Sequence, residues 1–281
     1  EEQSIVTRKF GPGSAWLSMK IYGGNSQLED LLSTKLDTFL SSNVALYSKW
    51  FFIRYSDPDW HIRVRFYGEP KCLYGELLPK LNQLLAPMLS NGDISKFELF
   101  TYEREVERYG GPDCIEAAEH LFHVDSTLAV KSMQQIEVVG EEVRWRILAL
   151  LTDKLLTFFG FKLKEKLHFI DRFRQSFAAE FNESGELRKQ LGKKYQVIAP
   201  ELAGDLKQYQ QQVRSLHCPH QFVIFSLIDQ WWAGAAKHLE VIKKGLDKGT
   251  IESKELTIAS LLHMNHNRMF KAYSREQEFA M

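Results

Sequence analysis

The sequence predicts an α+β fold, in which a mixed or antiparallel sheet in the N-terminal part packs with a mainly helical C-terminal part. Strand patterns with a period of two alternate with helical patterns over residues 1–111. Over 112–281 the apolar residues recur only at helical spacing. Nothing between the two parts has the composition of a linker, so we expect one domain over 1–281.

The strand-rich part, 1–111, gives the order strand, helix, hairpin, helix, strand. Glycine and proline mark the ends of its elements, and Ser56 to Asp59 supplies turn chemistry at the hairpin. The part 112–281 begins with Pro112-Asp113, which opens a helix. In chain order, the predicted elements cover 16–22 (strand), 28–40 (helix), 47–56 and 61–67 (strands), 77–90 (helix) and 94–102 (strand), followed by helices over 112–130, 140–160, 162–182, 200–214, 221–245 and 254–273.

Composition excludes several classes of protein. Lys plus Arg and Asp plus Glu number 36 each, so the chain has no overall basic field and we expect no direct binding of nucleic acid. Cys72, Cys114 and Cys218 are widely spaced, which argues against a disulfide framework and favours the cytoplasm. The sequence contains no apolar run long enough to span a membrane, and the first ten residues do not resemble a signal peptide.

The predicted strand 61–67 carries the first candidate site. His61, Arg63 and Arg65 alternate with apolar residues, so they share one face of the strand while the apolar side chains face the core. Two guanidiniums on a rigid strand match the geometry of a carboxylate or phosphate, which makes an anion site one interpretation. The other interpretation is the solvated face of an antiparallel sheet.

The segment 102–111, YEREVERYGG, is dense in charge. In an extended segment Tyr102 and Arg104 lie on one face and the glutamates on the other, and Gly110-Gly111 permits backbone angles closed to other residues. A solvated loop before a helix fits the same residues.

The predicted last helix contains LLHMNHNRMF, in which His263 and Asn267 fall on one stripe. Such a histidine is either a core residue or a proton carrier. The sequence has no phosphate-binding loop, and no histidine pair has a plausible third ligand beside it. We therefore expect no metal, nucleotide or flavin.

Read together, RYSDPDWHIRVRF, YEREVERYGG, AEHLFHVDS at 118–126 and HMNHNR resemble the C-terminal, glutamate-eliminating domain of class I lantibiotic dehydratases. Stand-alone forms of that domain belong to the thiopeptide-type bacteriocin biosynthesis proteins. The resemblance spans essentially the whole chain. It implies a lyase that removes glutamate from glutamylated Ser or Thr of a ribosomally made precursor peptide, leaving dehydroalanine or dehydrobutyrine. No counterpart of the glutamylation domain is seen, so we expect the separate elimination half.

The resemblance also implies roles for particular residues. Arg63 and Arg65 would hold the glutamyl carboxylates and stabilise developing negative charge, and His263 would carry the proton. A third arginine would be Arg104 or Arg108, and Arg104 is favoured because it shares a strand face with Tyr102. His263 is then expected near the strand arginines. The substrate-binding set is predicted to be His61, Tyr102, Arg104, Arg108 and Asn267.

Two other functions are compatible with the resemblance. One is the cycloaddition enzyme of thiopeptide assembly, which joins two dehydroalanines into a six-membered nitrogen heterocycle. The other is a non-catalytic scaffold that binds peptide. The expected partners are a glutamylated precursor peptide, a separate glutamylating enzyme and a cyclase. The precursor peptide, the choice between Ser and Thr, and the oligomeric state are left open.

Overall fold

The computed structural model describes residues 6–180, 185–212, 219–249 and 251–270; Cys218 lies outside them. The chain divides into two compact units. Unit 1 comprises Glu1–Gln134 and Gly234–Ala272, and unit 2 comprises Gln135–Ala233 and Tyr273–Met281. The single domain expected over 1–281 stays a prediction, and the two units are described separately.

Unit 1 contains two antiparallel sheets, which confirms the α+β class. The larger sheet has four strands in the order β3-β4-β2-β5, and the smaller pairs β1 with β6. The described strands are β1 (Lys9–Phe10), β2 (Trp16–Gly23), β3 (Lys49–Tyr55), β4 (His61–Tyr67), β5 (Ile94–Leu99) and β6 (Tyr102–Glu103).

Register fixes which side chains share a face of the larger sheet. Arg65 of β4 lies opposite Phe51 of β3 and Ser18 of β2, and Arg63 lies opposite Lys20. Directly opposed residues of an antiparallel pair point to the same side. We call this side, which carries His61, Arg63 and Arg65, the arginine face. On the other side Ile62, Val64 and Phe66 are buried, as predicted.

Helices of unit 1 flank the sheets. The first helical segment passes from α1 (Asn25–Asp30) through a π-helical stretch (Leu31–Leu36) into α2 (Asp37–Ser42). A positive φ at Gly92 ends the helix Leu78–Asn91, as the glycine in that position predicts. The remaining elements are a 3₁₀ turn (Val44–Leu46), α3 (Pro70–Cys72), a π-helical stretch (Leu73–Leu77), α4 (Leu78–Asn91), a 3₁₀ turn (Glu107–Tyr109), α5 (Ile115–Gln134) and α11 (Ile251–Met269).

Side chains of α5 and α11 cover the outer edge of β3. Ser126 Oγ accepts a hydrogen bond from the Phe52 N–H at 3.1 Å. Asn267 accepts from the Arg54 N–H at 2.8 Å and donates to the Arg54 carbonyl at 3.0 Å. Backbone groups that would otherwise be exposed at the sheet edge are thus paired by side chains.

Unit 2 contains helices joined by short turns and has no strand among its described residues. Its helices are α6 (Ile136–Val139), α7 (Glu142–Phe158), α8 (Leu163–Glu180), α9 (Gly185–Gln210) and the part of α10 (Pro219–Leu246) up to residue 233. The predicted helix over 200–214 was too short, because α9 continues through Pro200 instead of beginning there. Among the described residues, the helices of both units fall short of the length and apolarity needed to cross a membrane.

Candidate functional site

Arg65 is a buried cation surrounded by aromatic rings. Its side chain is 5% exposed. The guanidinium carbon lies 4.6 Å from the ring centre of Tyr102 and 5.3 Å from those of Phe51 and Phe100. No carboxylate in the described part of the chain pairs with it, and its Nε has no hydrogen-bond partner there. Burial lowers the pKa of Arg65, as expected when a charge loses its water without gaining a counterion.

Arg63 is half-buried and is held by two neighbours on the arginine face. Its guanidinium carbon stacks 3.6 Å from the Tyr55 ring centre, and its Nε donates to His61 Nε2 at 3.2 Å. His61 Nδ1 lies 2.8 Å from the Asp59 carbonyl, so Nδ1 carries the proton and the ring is neutral. Burial lowers the pKa of His61, which keeps Nε2 free to accept. His61 therefore orients Arg63.

Arg104 belongs to a separate, fully paired cluster. Glu119 of α5, which is buried, accepts from Arg104 Nε at 2.6 Å and Nη2 at 2.8 Å, from Lys49 at 2.8 Å and from the Tyr102 hydroxyl at 3.1 Å. We call these four residues the Glu119 network. Burial opposes the charge on Arg104, but Glu119 outweighs burial and raises the pKa of Arg104. Burial also raises the pKa of Tyr102, so its hydroxyl stays protonated.

Arg108 is the more accessible of the two candidate third arginines. Its Nη1 donates to Glu105 at 2.8 Å, and both side chains are more than a third exposed. Burial acts to lower the pKa of Arg108, while Tyr109, Glu105 and Tyr55 raise it and prevail. Tyr55 is also the ring on which Arg63 stacks. Arg108 thus has an exposed partner that water can replace.

Helix α11 brings its polar residues to β3, the strand beside β4. His263 is half-buried, and Asn267 uses its amide oxygen and nitrogen to pair with the Arg54 backbone. Substrate binding by Asn267 stays a prediction, as does the approach of His263 to the strand arginines. The same helix places Arg268, which is wholly buried, over the rings of Phe51 and Phe122.

The structure thus brings His61, Arg63, Arg65 and Tyr102 together, while Tyr102 also links them to the Glu119 network. Sequence reasoning did not single out Glu119 and Arg268. The signal for Glu119 was its place in AEHLFHVDS, and for Arg268 it was a charge inside an apolar helix. Among the residues that the structure describes, no three His, Cys, Asp or Glu side chains are grouped to hold a metal ion. What this arrangement can do is bind and stabilise a carboxylate.

Comparisons with known proteins identify the family of the chain. A family described as "Lantibiotic biosynthesis dehydratase C-term" matches residues 16–281. The subtilin biosynthesis protein SpaB of Bacillus subtilis is 27% identical over 92% of this chain and 24% of its own length. The nisin biosynthesis protein NisB of Lactococcus lactis subsp. lactis is 30% identical over 51% of this chain and 14% of its own. The chain thus spans about a quarter or less of these relatives.

Solved structures share the fold. The tRNA-dependent lantibiotic dehydratase MibB from Microbispora sp. 107891 superposes with a TM-score of 0.73 at 22% identity, over 98% of this chain and 28% of that one. TsrL superposes with a TM-score of 0.64 at 15% sequence identity, over 94% of this chain and 92% of its own. The pyridine synthase TbtD from thiomuracin biosynthesis superposes with a TM-score of 0.68 at 10% sequence identity, over 95% of each chain. The family match covers nearly the whole sequence, and this chain therefore belongs to the C-terminal family of lantibiotic biosynthesis dehydratases.

Proposed function

We propose that the chain is a glutamate-eliminating lyase, which converts glutamylated Ser or Thr of a precursor peptide into dehydroalanine or dehydrobutyrine. Family membership supports a role in dehydration. One structural observation carries the finer proposal. Arg63 and Arg65 project from one face of β4 without a carboxylate partner among the described residues. An anionic substrate group would supply the missing counterion.

The reaction is a β-elimination. A base takes the Cα proton of the esterified residue, the electron pair of that bond forms the Cα=Cβ double bond, and the Cβ–O bond breaks. Glutamate leaves as a carboxylate. Negative charge therefore grows at the ester during the reaction, and guanidiniums fixed in a water-poor, aromatic setting stabilise such charge well. Arg63 and Arg65 are assigned this role.

The third arginine in this proposal is Arg108 and not Arg104. The Arg104 guanidinium is already committed to Glu119 through two hydrogen bonds in the interior. Freeing it would leave Glu119 buried beside one cation fewer, which costs several kcal/mol. Arg108 exchanges an exposed partner for the substrate at little cost. Arg104 is assigned instead to holding Tyr102 beneath Arg65.

The proposed proton carrier is His263. Histidine exchanges protons near neutral pH, and the half-buried position on α11 leaves the imidazole part of its surface for a substrate. Helix α11 packs against β3, the strand next to β4, which supports a position of His263 near the sheet that carries the strand arginines. His263→Gln is expected to leave glutamylated peptide accumulating while the protein stays folded.

Cycloaddition is the second candidate, because TbtD, described as a pyridine synthase, matches this chain over nearly its full length. That reaction joins two dehydroalanines and involves no glutamyl group. Two strand arginines without acidic partners would have no evident counterion in such a substrate. The arginine face therefore favours elimination, and a non-catalytic scaffold would need neither Arg65 nor His263.

The test supplies the purified chain with a precursor peptide carrying glutamyl esters, followed by mass spectrometry. We expect glutamate to be released and each ester to become a dehydro residue. A second mixture contains unmodified peptide, glutamate, ATP, glutamyl-tRNA synthetase and tRNA, but no separate glutamylating enzyme. This mixture should give no dehydrated product. Dehydration in that mixture would refute the proposed division of labour. A heterocyclic product from a peptide with two dehydroalanines would establish cycloaddition instead.

A further inference from the structure

We propose that Arg268 and Ser18 complete, together with Arg65, a binding site for the free side-chain carboxylate of the glutamyl group. The inference deepens the proposed function and rests on it for the identity of the ligand. It assigns to Arg268 and Ser18 the selection of a dicarboxylic acyl group over a neutral one.

The first support is the location of the unsatisfied polar atoms. In the described part of the chain, six buried side-chain nitrogen and oxygen atoms have no hydrogen-bond partner. Five of them belong to unit 1, as Trp16 Nε1, Ser18 Oγ, Arg65 Nε, and Arg268 Nε and Nη2. A buried donor without a partner costs about 1–3 kcal/mol, and more when it is charged. Such donors in one region indicate a site that a ligand completes.

The second support is that these donors lie around one residue, Phe51. Ser18 lies directly opposite Arg65 in the β2–β4 ladder, so both side chains are on the arginine face. The guanidinium carbons of Arg65 and Arg268 lie 5.3 Å and 5.9 Å from the centre of the same Phe51 ring. One phenyl ring is therefore contacted by two buried guanidiniums, one from β4 and one from α11.

A purely structural role explains only part of Arg268. Its Nη1 donates to the Met264 carbonyl at 2.7 Å in the last turn of α11, where a cation is favourable. Asp125 approaches to 3.6 Å, too far for a hydrogen bond. These contacts leave Nε and Nη2 without partners. Burial lowers the pKa of Arg268 to about 10, which agrees with an incompletely compensated charge.

Charge balance gives the class of ligand. Arg65 and Arg268 contribute two positive charges and Asp125 one negative charge, and Arg63 on the same face adds a further positive charge. These groups thus carry a net positive charge, which an anionic group offsets. A glutamyl ester formed through its α-carboxyl group retains one carboxylate, at the end of its side chain. A guanidinium edge and a hydroxyl are suitable donors to it. Glutaminyl or alanyl esters lack this charge.

The experiment uses the full chain and glutarate, a five-carbon dicarboxylate, with butyrate as the monocarboxylate control, by titration calorimetry and by thermal shift. Wild type is expected to bind glutarate at least 10-fold more tightly than butyrate. Arg268→Met and Ser18→Ala should each weaken glutarate binding about 10-fold or more, and Arg268→Lys should restore part of it. Arg146→Met, which removes a buried arginine of unit 2, should leave the glutarate affinity of the folded protein unchanged.

Asp125→Asn provides a result of opposite sign. It removes the charge that competes with the ligand for Arg268, so glutarate should bind several-fold more tightly even where the fold is weakened. If Arg268→Met does not fold, the test rests on Ser18→Ala and Asp125→Asn. An unchanged affinity for glutarate in both variants would overturn the inference.

Elimination assays separate this inference from the proposed function. A chain that eliminates glutamate while Ser18→Ala and Arg268→Met bind glutarate like wild type would overturn the inference and leave the function standing. If glutarate binding depends on the arginines but the chain eliminates no glutamate, the inference stands and the proposed function is overturned.

Discussion

Arg65 in unit 1 and Arg146 in unit 2 are both buried arginines, but their surroundings differ. Arg146 is 1% exposed and is saturated by acids: Asp205 accepts from its Nε at 2.7 Å and its Nη2 at 2.9 Å, and Glu201 lies 2.7 Å from its Nη1. The Arg65 guanidinium lies beside three aromatic rings and has no acidic partner among the described residues. Removing a paired buried arginine leaves its acids buried without a cation, whereas an unpaired one carries a desolvation cost that, in the proposed function, a substrate anion offsets.

The largest expected effect comes from exchanging each of these arginines for a residue without charge. Arg65→Met should reduce the rate of glutamate release by at least about 100-fold, because a fixed donor to developing charge is lost. Its free energy of unfolding should stay the same or rise, since a buried charge without a counterion is removed. Arg146→Met should instead lower that free energy by about 3–5 kcal/mol, because Asp205 is left buried without its cation.

Urea unfolding and single-turnover elimination, measured on both variants, check this contrast. Strong destabilisation by Arg65→Met together with normal elimination by the remaining folded protein would show that Arg65 is a structural residue.

The next effect is on the Glu119 network. Glu119→Gln leaves Lys49 and Arg104 buried without their common acid, so the free energy of unfolding should fall by about 3–5 kcal/mol. Glu107→Gln is the matched control, because it removes the partner of Arg8 from an exposed pair and should leave the denaturation midpoint unchanged. Equal midpoints for wild type and Glu119→Gln would mean that the network does not stabilise unit 1.

A smaller effect distinguishes edge pairing from substrate binding at Asn267. Asn267→Ala leaves the N–H and carbonyl of Arg54 without partners, so it should cost about 1–3 kcal/mol of stability. Ser126→Ala, which removes one such bond from the same strand, should cost about 1 kcal/mol. If Asn267→Ala lowers substrate affinity without changing the unfolding curve, Asn267 is a substrate ligand after all.

The weakest expected effect is on acid sensitivity. Burial lowers the pKa of His61, His120 and His123. It also lowers the pKa of His238 to about 4, and the His238 ring stacks on that of His120 with their centres 4.4 Å apart. Unfolded histidines have a pKa near 6.5, so below that pH the unfolded state binds more protons than the folded state. Stability should therefore fall as the pH drops from about 6.5 towards 4.

Urea midpoints of wild type and His238→Gln across this range check the last prediction. The variant should show the shallower decline, and parallel curves would contradict the assignment to His238.

The fold was largely predictable from the sequence, because period-two and helical patterns are local. The strand predicted over 16–22 and the hairpin strands were found nearly at their predicted ends. The alternation at Tyr102 and Arg104 also held, with both buried and Glu103 and Glu105 exposed, although regular strand pairing stops at Glu103.

The site was less predictable, because partners distant in sequence decide what a charge does. The sequence YEREVERYGG offers both Arg104 and Arg108 and favours Arg104, whereas the structure shows that Glu119 from α5 already occupies the Arg104 guanidinium. Arg268 resembles a helix-ending cation until its packing on Phe51, more than two hundred residues earlier, is seen. Local patterns carry no information about either contact.

The covered edge of β3 has a consequence for how a peptide can approach. An extended peptide can join a sheet as an added strand, provided that the sheet offers a row of free backbone groups. At β3 the side chains of Ser126 and Asn267 already occupy such groups. Among the described strands, the opposite end of the four-stranded sheet is β5, whose neighbour is β2. Addition of a strand to this sheet is thus obstructed beside β3, and the end at β5 is the other edge of the sheet.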